Sequence, residues 1–236
     1  MKDKEIDDIL KKAAETPHRV DPALLDRVTA SLGASLGPVR PLPPPWILAT
    51  GAILVCAAIA LAGAARLGLS GFRELSGLQR VLIFPALAIQ IGLAATVCVR
   101  ERIPGSRRAV APGLLLAACC VSLLAVFAVL FHDYATERFV HQGVTCLVAG
   151  LLHAVPAALA IALLLRRGFA VNPVAAGLAA GTLAGLAGLG MLELHCANFE
   201  APHLMLWHTA VVPVAAAAGA LLASFVRSLR PSRALL

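Results

Sequence analysis

The chain has 236 residues, of which 59% are hydrophobic and 14% are charged, and its mean hydropathy is +0.85. Soluble domains contain about 45–50% apolar residues, so this composition excludes an ordinary soluble protein and indicates a membrane protein in contact with the lipid bilayer. The formal net charge of +7 does not indicate nucleic-acid binding, because residues 1–45 carry seven basic and seven acidic side chains and the excess lies in short loops between apolar segments.

The first segment, residues 1–34, is predicted to form two short amphipathic helices. The second begins at Asp21-Pro22, a helix cap followed by a proline in the first helical position. Neither helix is long enough to form a core alone, so we expect their apolar stripes to bind a partner. The stripes consist of Ile6, Ile9 and Leu10 in the first helix and Leu24, Leu25, Val28 and Leu32 in the second. The proline-rich stretch "GPVRPLPPPW" that follows is predicted to be an extended spacer.

From Trp46 onward the sequence predicts six transmembrane helices, each near the roughly 20 residues that a spanning helix needs. They cover residues 46–66, 80–99, 111–132, 143–165, 173–195 and 204–226. The predicted fold is therefore all-α, a polytopic membrane protein with six transmembrane helices and a short cytoplasmic helical N-terminal tail. The predicted domains are the tail with its linker (1–45), the six-helix transmembrane domain (46–228) and a cytoplasmic C-terminal tail (229–236).

The charges of the loops predict the orientation. An even number of spans places both termini on one side. If that side is the cytoplasm, nine arginines and one glutamate face inward, and four arginines and five acidic residues face outward, which gives net charges of +8 and −1. This distribution satisfies the positive-inside rule, so we expect both termini in the cytoplasm and the spans in a bacterial inner membrane.

The fifth span contains three glycines spaced four residues apart, Gly177, Gly181 and Gly185. This small-xxx-small pattern lets a neighbouring helix approach closely. We therefore predict that these glycines pack against another span and have no catalytic role.

Six cysteines divide into two groups by predicted depth. Four lie within or near the inner ends of apolar spans and are expected to be small core residues: Cys56, Cys98, Cys119 and Cys120. Cys146 and Cys196 are predicted at the outer ends of two different spans, at similar depth. An oxidising compartment permits a disulfide there, and leaves a free thiol open to an oxidant or a soft metal ion.

Histidines are concentrated at the same predicted surface. Imidazole and thiolate together are typical ligands of Zn or Cu(I). The spacing is not that of a zinc finger, and the alternative is that the histidines cap helix ends at the membrane interface beside Trp207. The sequence assigns no cofactor, and leaves a soft metal ion (Zn or Cu) or a disulfide as alternatives. The polar residues predicted at this outer surface are His132, His141, His195, His203 and His208, together with Glu193.

His153 lies two helical turns beyond Cys146 and therefore deeper in the predicted bilayer. An intramembrane histidine is a candidate functional residue. The alternative is structural, because Pro156 leaves a carbonyl without a donor that the ring N–H could satisfy.

The sequence contains none of the common enzyme motifs. The spans contain no pair of acidic residues, no serine has a His/Asp setting, and neither HExxH nor CxxC occurs. We predict that the protein is not an enzyme.

The tail "LLDRVTASLGASLGPVRPLPPPW", the "GVTCL" of the fourth span and the "LHCANFEAPHLMLWHT" before the last span resemble the NrsF-type membrane anti-sigma factors, the negative regulators of sigma F. The specific part of the resemblance is "GPVRPL", which contains Val39 and Arg40, together with Cys146, His195-Cys196 and Trp207-His208. The resemblance implies a cytoplasmic tail that holds an extracytoplasmic-function sigma factor inactive, and a membrane domain that senses an outside signal.

The features read from the residues agree with this resemblance. The tail is neutral and amphipathic and needs a partner, and the polar cluster is predicted at the outer face. We hypothesise that oxidation or metal binding at Cys146 and Cys196, with His195 and His208 as further candidate ligands, shifts the packing of the spans and thereby alters how the tail binds the sigma factor. The alternative functions are a metal- or haem-binding helical bundle for transport or redox chemistry, with His153 and His208 as axial ligands, and a structural membrane protein that recruits another cytosolic partner.

Overall fold

A computed structural model of the chain describes residues 7–8, 11–12, 21–35, 41–106, 110–136 and 139–229. The chain divides into two compact units, Met1–Pro41 and Leu42–Leu236. The described residues are mainly helical, and Asp133 and Glu200 form an isolated β-bridge. The predicted all-α fold is confirmed.

The first unit contains helix α1, Pro22–Ser35. It begins where the sequence predicts, after Asp21, whose carboxylate accepts a hydrogen bond from the backbone N–H of Ala23 at 3.0 Å. Its apolar stripe is exposed, with exposed fractions of 49% for Leu24, 51% for Leu25, 48% for Val28 and 58% for Leu32. The other predicted partner-binding residues lie outside the described residues: Ile6, Ile9, Leu10, Val39 and Arg40.

The second unit contains six helices that are long and apolar enough to cross a membrane, which confirms the predicted number of spans. The first four are α2 (Pro45–Leu67), α4 (Gly77–Arg100), α5 (Pro112–Leu130) and α6 (Phe139–Leu164), and a short helix α3 (Ser70–Glu74) lies between α2 and α4. The fifth is α7 (Pro173–His195), and the sixth consists of α8 (Ala201–His203), a π-helix (Leu204–His208) and α9 (Thr209–Leu229).

Loops at both ends of this bundle are tied together by backbone hydrogen bonds. We call the end at which α2 begins the proximal end and the opposite end the distal end. At the proximal end the N–H of Phe169 donates to the carbonyl of Arg102 at 2.9 Å, which joins the α4–α5 and α6–α7 loops. At the distal end the N–H of Ala201 donates to the carbonyl of Asp133 at 2.6 Å, which joins the α5–α6 loop to the start of the sixth span.

Helix α7 is the centre of the bundle. It is 78% buried over its most apolar 18 residues, whereas the other spans are 22–39% buried over the same length. It contacts α2, α4, α5, α6 and α9. Its many alanines and glycines present little side chain, so neighbours can approach it from several sides.

Helices α7 and α9 approach each other closely along a line of glycines that we call the glycine seam (Gly177, Gly181 and Gly185). A Cβ added to Gly177 would collide with the carbonyl oxygen of Gly219, and one added to Gly181 would collide with that of Ala215. Because these obstacles are backbone atoms, a change of rotamer could not relieve the collision.

We predict that Gly181→Ala lowers the thermal unfolding midpoint of the detergent-solubilised protein by several degrees, because overpacking of this kind costs about 1–3 kcal/mol. The matched control is Gly92→Ala in α4, where an added Cβ meets nothing within 4 Å. The control should be neutral or slightly stabilising, because alanine favours a helix over glycine. Equal midpoints for the two variants would contradict the close packing.

Candidate functional site

Four side chains with metal-binding donor atoms meet at the distal end of the bundle. Cys146 comes from the beginning of α6, Cys196 directly follows α7, and His203 and His208 come from the sixth span. One donor atom from each lies within 4.8 Å of the others. We call this group the Cys/His cluster.

The two thiols of the cluster are free but in contact. The sulfur atoms of Cys146 and Cys196 are 3.6 Å apart, well beyond the roughly 2.05 Å of a disulfide bond. The sulfur of Cys196 also lies 3.6 Å from Nε2 of His203. Cys196 is thus positioned between the second thiol and an imidazole.

A π-helix brings the two histidines together. Residues five apart on an α-helix point about 140° away from each other, because each turn takes 3.6 residues. In the π-helix Leu204–His208 the hydrogen bonds run from residue i to i+5, and the N–H of Thr209 donates to the carbonyl of Leu204. The rings of His203 and His208 consequently meet edge to face, with centroids 5.1 Å apart.

Contacts between α6 and the last span hold Cys146 beside this π-helix. The ring of Trp207 fills the space next to Gly143, where a Cβ would collide with it, and it packs against Phe139 with ring centroids 5.6 Å apart. Nearby, the side-chain amide of Asn198 donates to Gln142 at 2.7 Å, which connects the loop after Cys196 to α6.

The cluster has a buried side and an open side. Both imidazoles have no exposed surface, whereas the two cysteines are half-buried. The thiols line a cavity of about 600 Å³ whose other walls include His141, Gln142, Thr145, His195 and Asn198. The cavity therefore gives a small reagent access to both sulfur atoms, and His203 also lines it.

Contact with the Cys146 sulfur, together with burial, raises the pKa of the Cys196 thiol above its usual value of about 9. At neutral pH this thiol is therefore largely protonated. Because only the thiolate binds metal or attacks an oxidant, binding or oxidation at Cys196 must release a proton.

Two ring nitrogens of the cluster, Nδ1 of His203 and Nε2 of His208, are buried without a well-formed hydrogen bond, and the ring of His208 lies against the Cys196 thiol. Buried polar atoms are nearly always paired, so such atoms indicate a place where a ligand supplies the missing interaction. Two thiols and two imidazoles within 4.8 Å match the donor types of tetrahedral zinc and of soft ions in general. The residues present therefore fit a soft metal ion.

Two other predicted site residues lie outside this donor set. Nδ1 of His195 donates to the carbonyl of Gly68 at 3.0 Å, at the wall of the cavity. Nδ1 of His153 donates to the carbonyl of Ala149 at 2.8 Å, within its own helix, and its ring packs against Gly63 of α2. Both rings are hydrogen-bonded to backbone carbonyl groups, His153 within its own helix and His195 to the residue that follows α2.

Sequence reasoning placed Glu193 in the polar group but did not identify its partner. Its Oε1 lies 2.7 Å from Nδ1 of His208, and both side chains are buried. The available signal was an acidic residue inside an otherwise apolar helix, which is costly in a membrane and therefore indicates a specific partner. The partner itself lies fifteen residues away, in the next span.

Comparison with known proteins identifies the family. Residues 32–229 match the family described as NrsF, negative regulator of sigma F. No curated protein and no solved structure matches the chain. Because the family match covers most of the chain, and because the structure has six apolar spans, the chain belongs to the NrsF family of negative regulators of sigma F and is a multi-pass membrane protein.

Proposed function

We propose that the protein is an anti-sigma factor that sequesters an extracytoplasmic-function sigma factor through its N-terminal tail and releases it when a signal reaches the Cys/His cluster. One observation carries the proposal. The linker residues Leu42 and Pro43 line a cavity at the proximal end of the bundle together with Arg102 and Arg166, and the Cys/His cluster lies at the distal end. This separation supports a signal at one end of the membrane domain and a response at the other.

The exposed stripe of α1 supports the tail as the sigma-binding segment. Leu24, Leu25, Val28 and Leu32 are each about half exposed, which is a surface that an amphipathic helix normally buries in a groove of a partner. The family match begins at residue 32, so this role rests on the physical character of α1. Burial of the stripe would couple ordering of the tail to binding.

Loop charges support a cytoplasmic position for the proximal end. Arginines at this end include Arg100, Arg102, Arg166, Arg167 and Arg227. Short basic loops stay on the cytoplasmic side of a bacterial inner membrane, so the Cys/His cluster would face the periplasm.

Two chemistries at the cluster would tie α6 to the same neighbours. Oxidation of both thiols to a disulfide releases two protons and two electrons to an oxidant and draws the sulfurs from 3.6 Å to about 2.05 Å. A bound metal ion would instead displace the thiol protons and hold each sulfur at about 2.3 Å from itself, which leaves the two sulfurs close to their present separation. Either event would fix α6 to the hairpin of α7 and the last span.

The glycine seam would carry this movement toward the proximal end. Backbone contacts between α7 and α9 leave no side chains to absorb a shift, so the two helices would move as one body. The signal can release the sigma factor only if the two arrangements of the bundle bind it unequally.

A metal-binding bundle for transport or redox chemistry is the second candidate, and the four-donor cluster favours it. The haem form of this candidate needs free nitrogens on His153 and His208 that face one haem. Nδ1 of His153 is bonded to Ala149 and Nδ1 of His208 to Glu193, which leaves Nε2 of each ring as the potential ligand. Nε2 of His153 packs against Gly63 of α2, whereas His208 belongs to the Cys/His cluster, so this arrangement does not favour a shared haem.

We predict that Val28→Asp in the full-length protein weakens co-purification of its sigma factor about 10- to 100-fold, because fully burying such a side chain is worth about 1.5–3 kcal/mol. The matched control is Ala30→Asp, which adds the same charge to the exposed opposite face of α1. The readout is the amount of sigma factor bound to the purified membrane protein. Equal retention by both variants would exclude the stripe as the binding surface.

We predict that replacing both Cys146 and Cys196 by serine leaves repression intact and abolishes induction, because the tail is unchanged and the sensing thiols are lost. The control is Cys120→Ser, a half-buried cysteine outside the cluster. Transcription from a sigma-dependent reporter measures both properties. A double variant that still responds to the inducing oxidant or metal would refute sensing at these thiols.

We predict that the tail and the cluster lie on opposite sides of the membrane. In a chain whose native cysteines are replaced by serine, a membrane-impermeant maleimide should label exposed Ala197→Cys on intact cells, and should label exposed Lys11→Cys only after permeabilisation. Labelling of both in the same compartment would contradict signalling across the bilayer.

A further inference from the structure

Glu193 is a buried carboxylate with no role in the function proposed above. It is 3% exposed, near the distal end of the most buried span, and its Oε1 lies 2.7 Å from Nδ1 of His208, which is fully buried. A carboxylate in a membrane helix costs free energy, so its presence calls for a reason beyond helix packing.

The hydrogen bond determines which nitrogen of His208 is available. A histidine that binds a metal ion through Nε2 is neutral, and a hydrogen bond from its ring to a carboxylate then places the proton on Nδ1 and leaves the lone pair of Nε2 for the ion. That Nε2 atom is buried without a well-formed hydrogen bond, and the ring lies against the Cys196 thiol. The donor atom of His208 lies within 4.8 Å of those of Cys146, Cys196 and His203, so the hydrogen bond to Glu193 leaves the second nitrogen at the donor cluster.

We propose that Glu193 is the positioning residue of a soft-metal site, which holds His208 in the tautomer and orientation that present Nε2 to the ion. The proposal rests on the proposed sensing function of the Cys/His cluster. Carboxylates that accept a hydrogen bond from a metal-binding histidine perform this task in many metal sites, and they also make the imidazole a better donor.

The charges of the site favour a divalent ion. Two thiolates neutralise a dication, and Glu193 adds one negative charge, so a bound dication leaves a smaller buried charge than a monovalent ion would. With two sulfur and two nitrogen donors the class of ligand is a soft or borderline divalent ion that accepts tetrahedral coordination. Co²⁺ is a suitable probe because thiolate ligation gives it a characteristic absorption.

A second acidic residue at the same end provides the matched control. Glu200 lies at the isolated bridge with Asp133, and its carboxylate is not part of the donor set. Glu193→Gln and Glu200→Gln therefore remove the same charge from the distal end, but only the first replaces the carboxylate that accepts from His208 by an uncharged, weaker acceptor.

The experiment is titration of Co²⁺ into the full-length, reduced protein in detergent, against a competing chelator, followed by displacement with Zn²⁺. We expect Glu193→Gln to weaken Co²⁺ binding about 10- to 100-fold, the usual effect of mutating such a partner, and to retain the thiolate-to-cobalt absorption. Glu200→Gln should bind within about twofold of the wild type. Thermal unfolding of the metal-free variants reports whether each is folded.

A second measurement needs no variant. Nitrogen-15 spectra of the Zn²⁺-loaded wild type should show His208 protonated at Nδ1 and bound to the metal through Nε2. Binding through Nδ1, or a His208 that does not bind, would overturn the role of Glu193.

The outcomes separate this proposal from the function on which it rests. If the wild type binds Co²⁺ and Glu193→Gln binds it equally well, or if both glutamate variants weaken it equally, the positioning role is wrong and metal sensing stands. If the wild type binds neither ion, both the positioning role and metal sensing are wrong. Sequestration of the sigma factor by the tail is measured separately, by co-purification.

Discussion

Backbone-to-backbone packing around α7 is the constraint on which the membrane domain depends. Lipid provides no hydrophobic force to drive helices together, so association relies on close van der Waals contact and on internal hydrogen bonds. The glycine seam provides that contact by removing side chains where α7 meets α9. The same packing brings the distal ends of α6, α7 and the last span together, and these three ends build the Cys/His cluster.

Polar groups enter this apolar core where a partner is available. At the middle of the bundle the amide of Gln90 donates to Ser122 at 2.8 Å. At the distal end Glu193 is paired with His208, and the thiols of Cys146 and Cys196 face each other. Several buried polar atoms of the described residues lack a hydrogen-bond partner, including Oε1 of Gln90 and Nε1 of Trp207, and two of these atoms are nitrogens of the two imidazoles that face the thiols.

The π-helix connects the chemistry of the cluster to the mechanics of the bundle. π-Helices are rare and are often found at functional sites. Each accommodates one more residue in a turn than an α-helix does. Here the extra residue aligns His203 with His208. A ligand that binds both rings would stabilise this register of the last span, and that span packs along the glycine seam on α7. Binding of a ligand at the distal end would thereby change the packing of the last span against α7 along the length of both helices.

The amino-acid sequence by itself determined the number of spans, the amphipathic character of α1 and the polar concentration at one end, because these follow from local composition and helical spacing. It also showed the family resemblance through short motifs around Cys146 and Cys196. Only the tertiary structure selected His203 and His208 over His195 and His153 as cluster members. Spacing could not make that selection, because ring orientation depends on a π-helix and on backbone partners from other spans. The pairing of Glu193 with His208 was likewise decided by packing, since it joins two helices whose contact no local sequence pattern indicates.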